Sequence, residues 1–302
     1  MNADAESDTM MCCAACGTPE VDDVKLKDCS ACKLVRYCGV QCQKDHRPKH
    51  KRACKKRAAE LRDEILFKQP ESSYLGDCPI CCLPLPIDAT ESTMMACCCK
   101  KICNGCEYAN QIRERDEKLD HTCPFCRHPL PKSEEEGNRN VMTRIEANDP
   151  AAIRHMGRER WGEGDYDGAF EYWTKAAGLG NIDSHYQLSV MYREGLGVEK
   201  DKKREVYHLE VAAIGGHPVA RNNLACFEWE NSRHDRALQH WIVAAKLGDE
   251  SSVDTLKDAY RKGYVRKEDF ASALRAHQAA VNATKSPQRE EAAAARGGFQ
   301  SK

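Results

Sequence analysis

The cysteines constrain this chain more than any other feature, because they come in short-spaced pairs and crowd into its first half. Of 19 cysteines, only Cys226 lies beyond Arg127. Pairs of the form Cys-x2-Cys or Cys-x3-Cys let one tight turn present two soft ligands at once, and zinc takes four such ligands in a tetrahedron. Disulfides are the competing reading, but they persist mainly in oxidising compartments. The first ten residues, Met1 to Met10, are acidic and polar, with neither the basic region nor the apolar run of a secretory signal. The expectation is an intracellular protein, cytoplasmic or nuclear and not secreted, whose reduced thiols bind metal. No apolar run approaches membrane-spanning length. A formal net charge of −1 gives no global pull toward nucleic acid or an anionic membrane, so neither is expected as a partner.

A length of 302 residues suggests two or three domains. Residues 1–11 read as disordered, 12–54 as a first zinc module and 55–70 as a linker helix with one apolar stripe, Ala58, Leu61, Ile65 and Leu66. A second zinc module spans 74–130. Pro129, Pro131 and the run Ser133-Glu134-Glu135-Glu136-Gly137 mark a linker over 131–147. Residues 148–284 have a helical texture, and the Ala-rich and Gly-containing segment 285–302 reads as a disordered tail.

The first module orders its ligands as Cys13-x2-Cys16, Cys29-x2-Cys32, Cys38-x3-Cys42 and His50-x3-Cys54, enough for two ions. Cys12 stands beside Cys13 and is an alternative to it, while His46 reads as a surface residue. Over its whole length the segment resembles the MYND zinc finger, including Tyr37-Cys38, Cys42-Gln43 and the closing His50-Lys51-Arg52-Ala53-Cys54. The resemblance implies interleaved pairing, with Cys13, Cys16, Cys38 and Cys42 on one ion and Cys29, Cys32, His50 and Cys54 on the other. It also implies binding of short proline-containing peptides, although Arg47 stands where many such fingers place a groove Trp. The basic stretch Lys49 to Arg57 reads first as a solvated helix face; a nuclear import signal or a nucleic-acid patch is the alternative.

In the second module Cys78-Pro79-Ile80-Cys81 opens, Cys103-x2-Cys106 follows, and Cys123-Pro124-Phe125-Cys126 closes. Between the first two pairs lies Cys97-Cys98-Cys99, from which Cys97 with Cys98, or in competition Cys97 with Cys99, supplies the fourth pair. The segment resembles an all-cysteine RING finger, with Lys100 where a common RING has a ligand His. That resemblance implies a ubiquitin-conjugating enzyme as a partner, contacted by Ile80 and Pro124, with Arg127 as the cation bridging enzyme and ubiquitin. The alternative is that Ile80 and Pro124 simply pack their zinc loops. Two ions in each module give about four Zn(2+) in all.

Beyond the linker the segments Ala176-Ala177-Gly178-Leu179-Gly180, Ala212-Ala213-Ile214-Gly215-Gly216 and Ala244-Ala245-Lys246-Leu247-Gly248 recur at about 36 and then about 32 residues. Leu188, Leu224 and Leu256 march at the same offsets, as do Trp173 and Trp241. Each unit reads as two helices, closely approached through Ala and Gly and filled by Leu and Trp. The motif Tyr192-x2-Gly195-Leu196-Gly197-Val198-x2-Asp201 resembles the Sel1-like repeat, a relative of tetratricopeptide repeats, which implies a protein-binding array. Three units, a partial fourth and a closing helix from Lys267 to about Thr284 are expected, folding independently of the zinc modules. The expected fold class is thus multidomain, two small cross-braced zinc-binding modules followed by an all-α helical-repeat solenoid. The expected function is a modular adaptor that binds proteins through the MYND finger and the repeats. A RING-type ubiquitin ligase with the array selecting substrate, and a nuclear corepressor-like scaffold, are the alternatives.

Overall fold

A computed structural model describes residues 12–297; the expected disorder of 1–11 lies outside them, as does the end of the expected tail. The chain divides into two compact units between Lys68 and Gln69. In the first, the two-residue strands β1 (Lys27–Asp28) and β2 (Arg36–Tyr37) pair antiparallel, and helix α1 (Val40–Leu66) follows. The apolar stripe expected of a linker helix therefore belongs to α1, which runs uninterrupted from the finger to Leu66. The reason is local: His50 and Cys54 stand one helical turn apart, and no breaker follows until Pro70. Pro48 is accommodated inside this helix.

The second unit begins with the second zinc module. Strands β3 (Ser92–Met94) and β4 (Lys101–Cys103) pair antiparallel with Thr93 opposite Ile102, and helix α2 (Asn104–Asp116) leads on from β4. The expected linker over 131–147 is largely helix, α3 (Glu134–Glu146). Ser133 caps it by accepting from the Glu136 amide at 3.2 Å, and Glu136 in turn accepts from the Lys132 amide at 2.8 Å. The acidic run that resembles a loop is a reciprocal cap followed by a first turn whose charge suits the helix dipole.

Four helix pairs make the array: α4 (Pro150–Gly162) with α5 (Tyr166–Gly178), α6 (Ile182–Glu194) with α7 (Lys202–Ile214), α8 (Pro218–Glu230) with α9 (His234–Lys246), and α10 (Glu250–Arg261) with α11 (Lys267–Ala283). The repeated Ala pairs are buried between helices, and Trp173, Trp241, Leu188, Leu224 and Leu256 fill the spaces beside them. The first helix of each pair is capped by a side chain at the same repeat position, Asp149, Asn181, His217 or Asp249. Trp173 donates to the Arg154 carbonyl and Trp241 to Asn222 Oδ1, so both indoles act as packing residues with satisfied N–H groups.

The array and the second zinc module share a core, contrary to the expected independence. Met94, Ala96 and Cys99 pack with Val141, Ile145, Ala152, Ile153 and Ala176. Tyr74 stacks on His217 with ring centroids 4.2 Å apart, His217 stacks on Tyr186 at 4.5 Å, and the Tyr74 amide donates to the Gly216 carbonyl at 3.1 Å. The segment expected as a disordered tail instead forms helix α12 (Pro287–Gly297), which packs along α2 with Ala292 1 % exposed.

Candidate metal centres

Four of the five Cys-x2-Cys pairs close their turn in the same way, the exception being Cys103-x2-Cys106 at the start of α2. The amide four residues after the first cysteine donates to that cysteine's carbonyl, from Gly17 to Cys13, Lys33 to Cys29, Cys82 to Cys78 and Arg127 to Cys123, all at 2.9 Å. The donor residue is left-handed every time, with φ of 73° at Gly17, 54° at Lys33, 55° at Cys82 and 61° at Arg127. Non-glycine residues accept this conformation at some cost, here in order to turn two sulfurs toward one point. Cys82 is thereby a turn residue and not a ligand.

Four groups of ligand atoms result, each within 4.8 Å of one another: Cys13, Cys16, Cys38, Cys42; Cys29, Cys32, His50, Cys54; Cys78, Cys81, Cys103, Cys106; and Cys97, Cys98, Cys123, Cys126. In both modules the first pair joins the third and the second joins the fourth, so the modules are cross-braced. Cys13 is buried within its group, while Cys12 is exposed and lies outside it. In the second group Cys32 Sγ lies 3.2 Å from His50 Nε2, and His46, which the sequence reading placed at the surface, stacks on His50 at 5.5 Å while bonding Tyr37 Oη through Nδ1.

The Cys97-Cys98-Cys99 ambiguity resolves through the same turn geometry. The Cys99 amide bonds the Met95 carbonyl at 2.7 Å with φ 52°, making Cys99 the left-handed closing residue. Its thiol enters the shared core while Cys97 Sγ lies 3.3 Å from Cys126 Sγ and Cys98 Sγ 3.9 Å from Cys123 Sγ.

These spacings suit zinc. Tetrahedral ligation at the usual Zn–S length requires sulfur–sulfur edges of about 3.8 Å, and the pairs Cys16–Cys38, Cys38–Cys42, Cys29–Cys54 and Cys81–Cys103 lie at 3.6, 3.5, 3.8 and 3.8 Å. A disulfide would bring sulfurs to about 2.0 Å. Electrostatics point the same way. Burial, the largest influence on Cys13 and Cys29, raises their pKa values, but the amides and thiols around them outweigh it and bring both down to about 6. Their neighbours move oppositely: Cys38 and Cys16 drive Cys42 up to about 12, and burial followed by Cys29 and Cys32 drives Cys54 up to about 11. Sulfurs packed this closely cannot all ionise unless a cation sits among them. The donor sets, soft thiolates with one imidazole, fit zinc, and the four clusters are compatible with about four ions.

The closing loop of the second module is held by Glu114, a residue the sequence reading missed. Its carboxylate is 1 % exposed and accepts from Asn110 Nδ2, the Thr122 amide, Thr122 Oγ1 and His121 Nδ1. Burial raises its pKa, but these donors prevail and hold it at about 2. Among the residues read as contacts for a conjugating enzyme, Ile80 is 40 % exposed and Arg127 is exposed with its guanidinium on Asn110 Oδ1 at 3.0 Å. Pro124, by contrast, is buried.

Comparison with known proteins matches residues 13–54 to the MYND finger. A curated relative, an uncharacterized protein of Neisseria meningitidis serogroup B, is 30% identical over 117 residues, 39% of this chain and 25% of that protein. The chain thus spans about a quarter of that relative's length. Among solved structures, a Sel1 repeat protein from Oxalobacter formigenes aligns at 21% identity over 59% of this chain and 74% of its own, with a TM-score of 0.44. A protective antigen of uropathogenic Escherichia coli strains displaying an SLR fold aligns at 19% identity over 59% of this chain and 37% of its own, with a TM-score of 0.42. No helix among the described residues is long and apolar enough to cross a membrane. The first zinc module is thus similar to the MYND finger over residues 13–54.

Proposed function

We propose that the protein is a zinc-organised adaptor that binds other proteins in a reducing compartment of the cell. Its MYND finger docks short peptides, and its second zinc module and repeat array present one rigid platform. The observation that carries this reading is the joining of a MYND-like finger, with two closed ligand tetrads of its own, to a second module with two more, all protein ligands with no place left open for substrate. The sixteen ligands are those grouped above. Fluorescence polarisation of labelled proline-containing peptides against the full chain tests the docking role. Saturable binding that is lost when Cys32→Ser disrupts the finger supports it, and absence of binding by a zinc-replete chain to a broad peptide panel contradicts it.

A second reading, a RING-type ubiquitin ligase, is favoured by the exposure of Ile80 and of Phe125, 40 % and 42 %. It predicts autoubiquitination with some conjugating enzyme, weakened by Ile80→Ala through lost docking. Inactivity of a zinc-replete chain with a panel of such enzymes would leave the adaptor reading alone. A nuclear corepressor-like role requires the tagged chain to concentrate in the nucleus.

A further inference from the structure

The third tetrad has an electrostatic problem that the other three do not share. Four thiolates around a zinc dication leave a net charge of −2, and here Cys78, Cys103 and Cys106 are buried and Cys81 is half-buried. The second tetrad is equally withdrawn but includes neutral His50, and the first and fourth expose Cys16, Cys38 and Cys126 to water. Buried charge requires a compensating partner.

That partner comes from the far end of the chain. Arg289, on α12 and 208 residues from Cys81, donates through Nη2 to Cys81 Sγ at 3.5 Å. The guanidinium is fixed in place by the carbonyls of Leu83 at 3.3 Å, Pro84 at 2.7 Å and Thr284 at 2.6 Å. The approach depends on Gly105, the neighbour of Cys106, since a Cβ there would stand 2.8 Å from both Cγ and the amide nitrogen of Arg289. A lysine, with a point charge and no fork, would not reproduce this bonding.

We propose that Arg289 is an outer partner of the third zinc centre, its guanidinium bonding the Cys81 thiolate and offsetting the buried charge, so that the C-terminal helix sets how tightly that one ion is held. The proposal rests on reading Cys78, Cys81, Cys103 and Cys106 as a zinc site. Arg289 holds the sulfurs' charge and screens them from protons and oxidants; it binds no metal itself. Loss of such a partner typically weakens metal binding about 10- to 100-fold.

The test is competition of the full-length, zinc-loaded chain with a chromophoric chelator, with alkylation and peptide mapping to show which cysteines are released. Arg289→Met should give up one ion about 10- to 100-fold more readily, exposing Cys78, Cys81, Cys103 and Cys106, with the other three centres as in wild type. Arg296→Met is the control, because Arg296 ties α12 to the Thr90 carbonyl at 3.1 Å and to Glu107 at 3.7 Å without touching sulfur. It should leave zinc affinity unchanged. Wild-type retention by Arg289→Met, or equal weakening by Arg296→Met, overturns the proposal. Should Arg289→Met lose its helical circular dichroism, Arg289→Lys carries the test: weakening confined to the third centre supports the proposal, and wild-type retention overturns it. A wild-type chain lacking zinc at these four cysteines would instead overturn the zinc reading itself.

Discussion

At the scale of single residues, the ligand sulfurs depend on neighbours that carry no metal-binding chemistry. Glu114→Ala would strand the half-buried Thr122 amide and hydroxyl one residue before Cys123, and leaving such donors unsatisfied costs about 1–3 kcal/mol. Thermal denaturation should show a clear fall in Tm, and an unchanged Tm would mean the loop holds itself. His240 makes a different prediction. It is fully buried in α9, and burial, then Arg221 and Arg236, lowers its pKa from 6.5 to about 3. Between those values the unfolded chain binds more protons than the folded one, so stability falls as pH drops below 6.5, by about 2 kcal/mol at pH 5. His240→Met should flatten this part of the pH dependence relative to wild type; an identical slope would remove His240 as its cause. Spacing alone made fourteen of the ligands legible as seven pairs, but not the choice among Cys97, Cys98 and Cys99. That choice is made by backbone handedness at Cys99 and by the apolar surroundings that take its thiol, neither of which leaves a mark on spacing.

At the scale of elements, periodicity revealed the array because Ala, Leu and Trp recur wherever helices touch. It did not reveal α3 and α12, whose sequences look like linker and tail. Ser133 and the three glutamates after it form a cap, and the Ala run of α12 becomes helical against α2. Both signals are ambiguous locally, since polar and Ala-rich segments order only when a partner surface exists. The repeat turns offer a test of one such surface. Gly180 and Gly216 occupy equivalent positions with φ of 86° and 84°, but an added Cβ meets nothing at Gly180 and meets the Ser72 carbonyl oxygen at 2.5 Å at Gly216. Gly180→Ala should cost only the left-handed conformation, about 1–2 kcal/mol. Gly216→Ala should cost visibly more in urea denaturation, because the 70–74 segment must also move. Equal costs would show that this segment is not held against the array.

At the scale of the whole molecule, the two units should respond to metal loss differently. The second zinc module shares a core with α3 to α5, so stripping its zinc should lower the unfolding temperature of the array, read as helical circular dichroism. An array that melts at the same temperature with and without zinc would restore the independence expected from sequence. All of this depends on the central claim that the four tetrads are four zinc centres. Mass spectrometry of the intact chain, under native and then denaturing conditions, addresses it most directly. The account predicts a native mass exceeding the denatured mass by four zinc ions, with every cysteine of the denatured chain reduced. A chain that carries two ions or fewer, or whose denatured mass is lowered by about 2 Da for each cysteine pair as disulfides require, would contradict it.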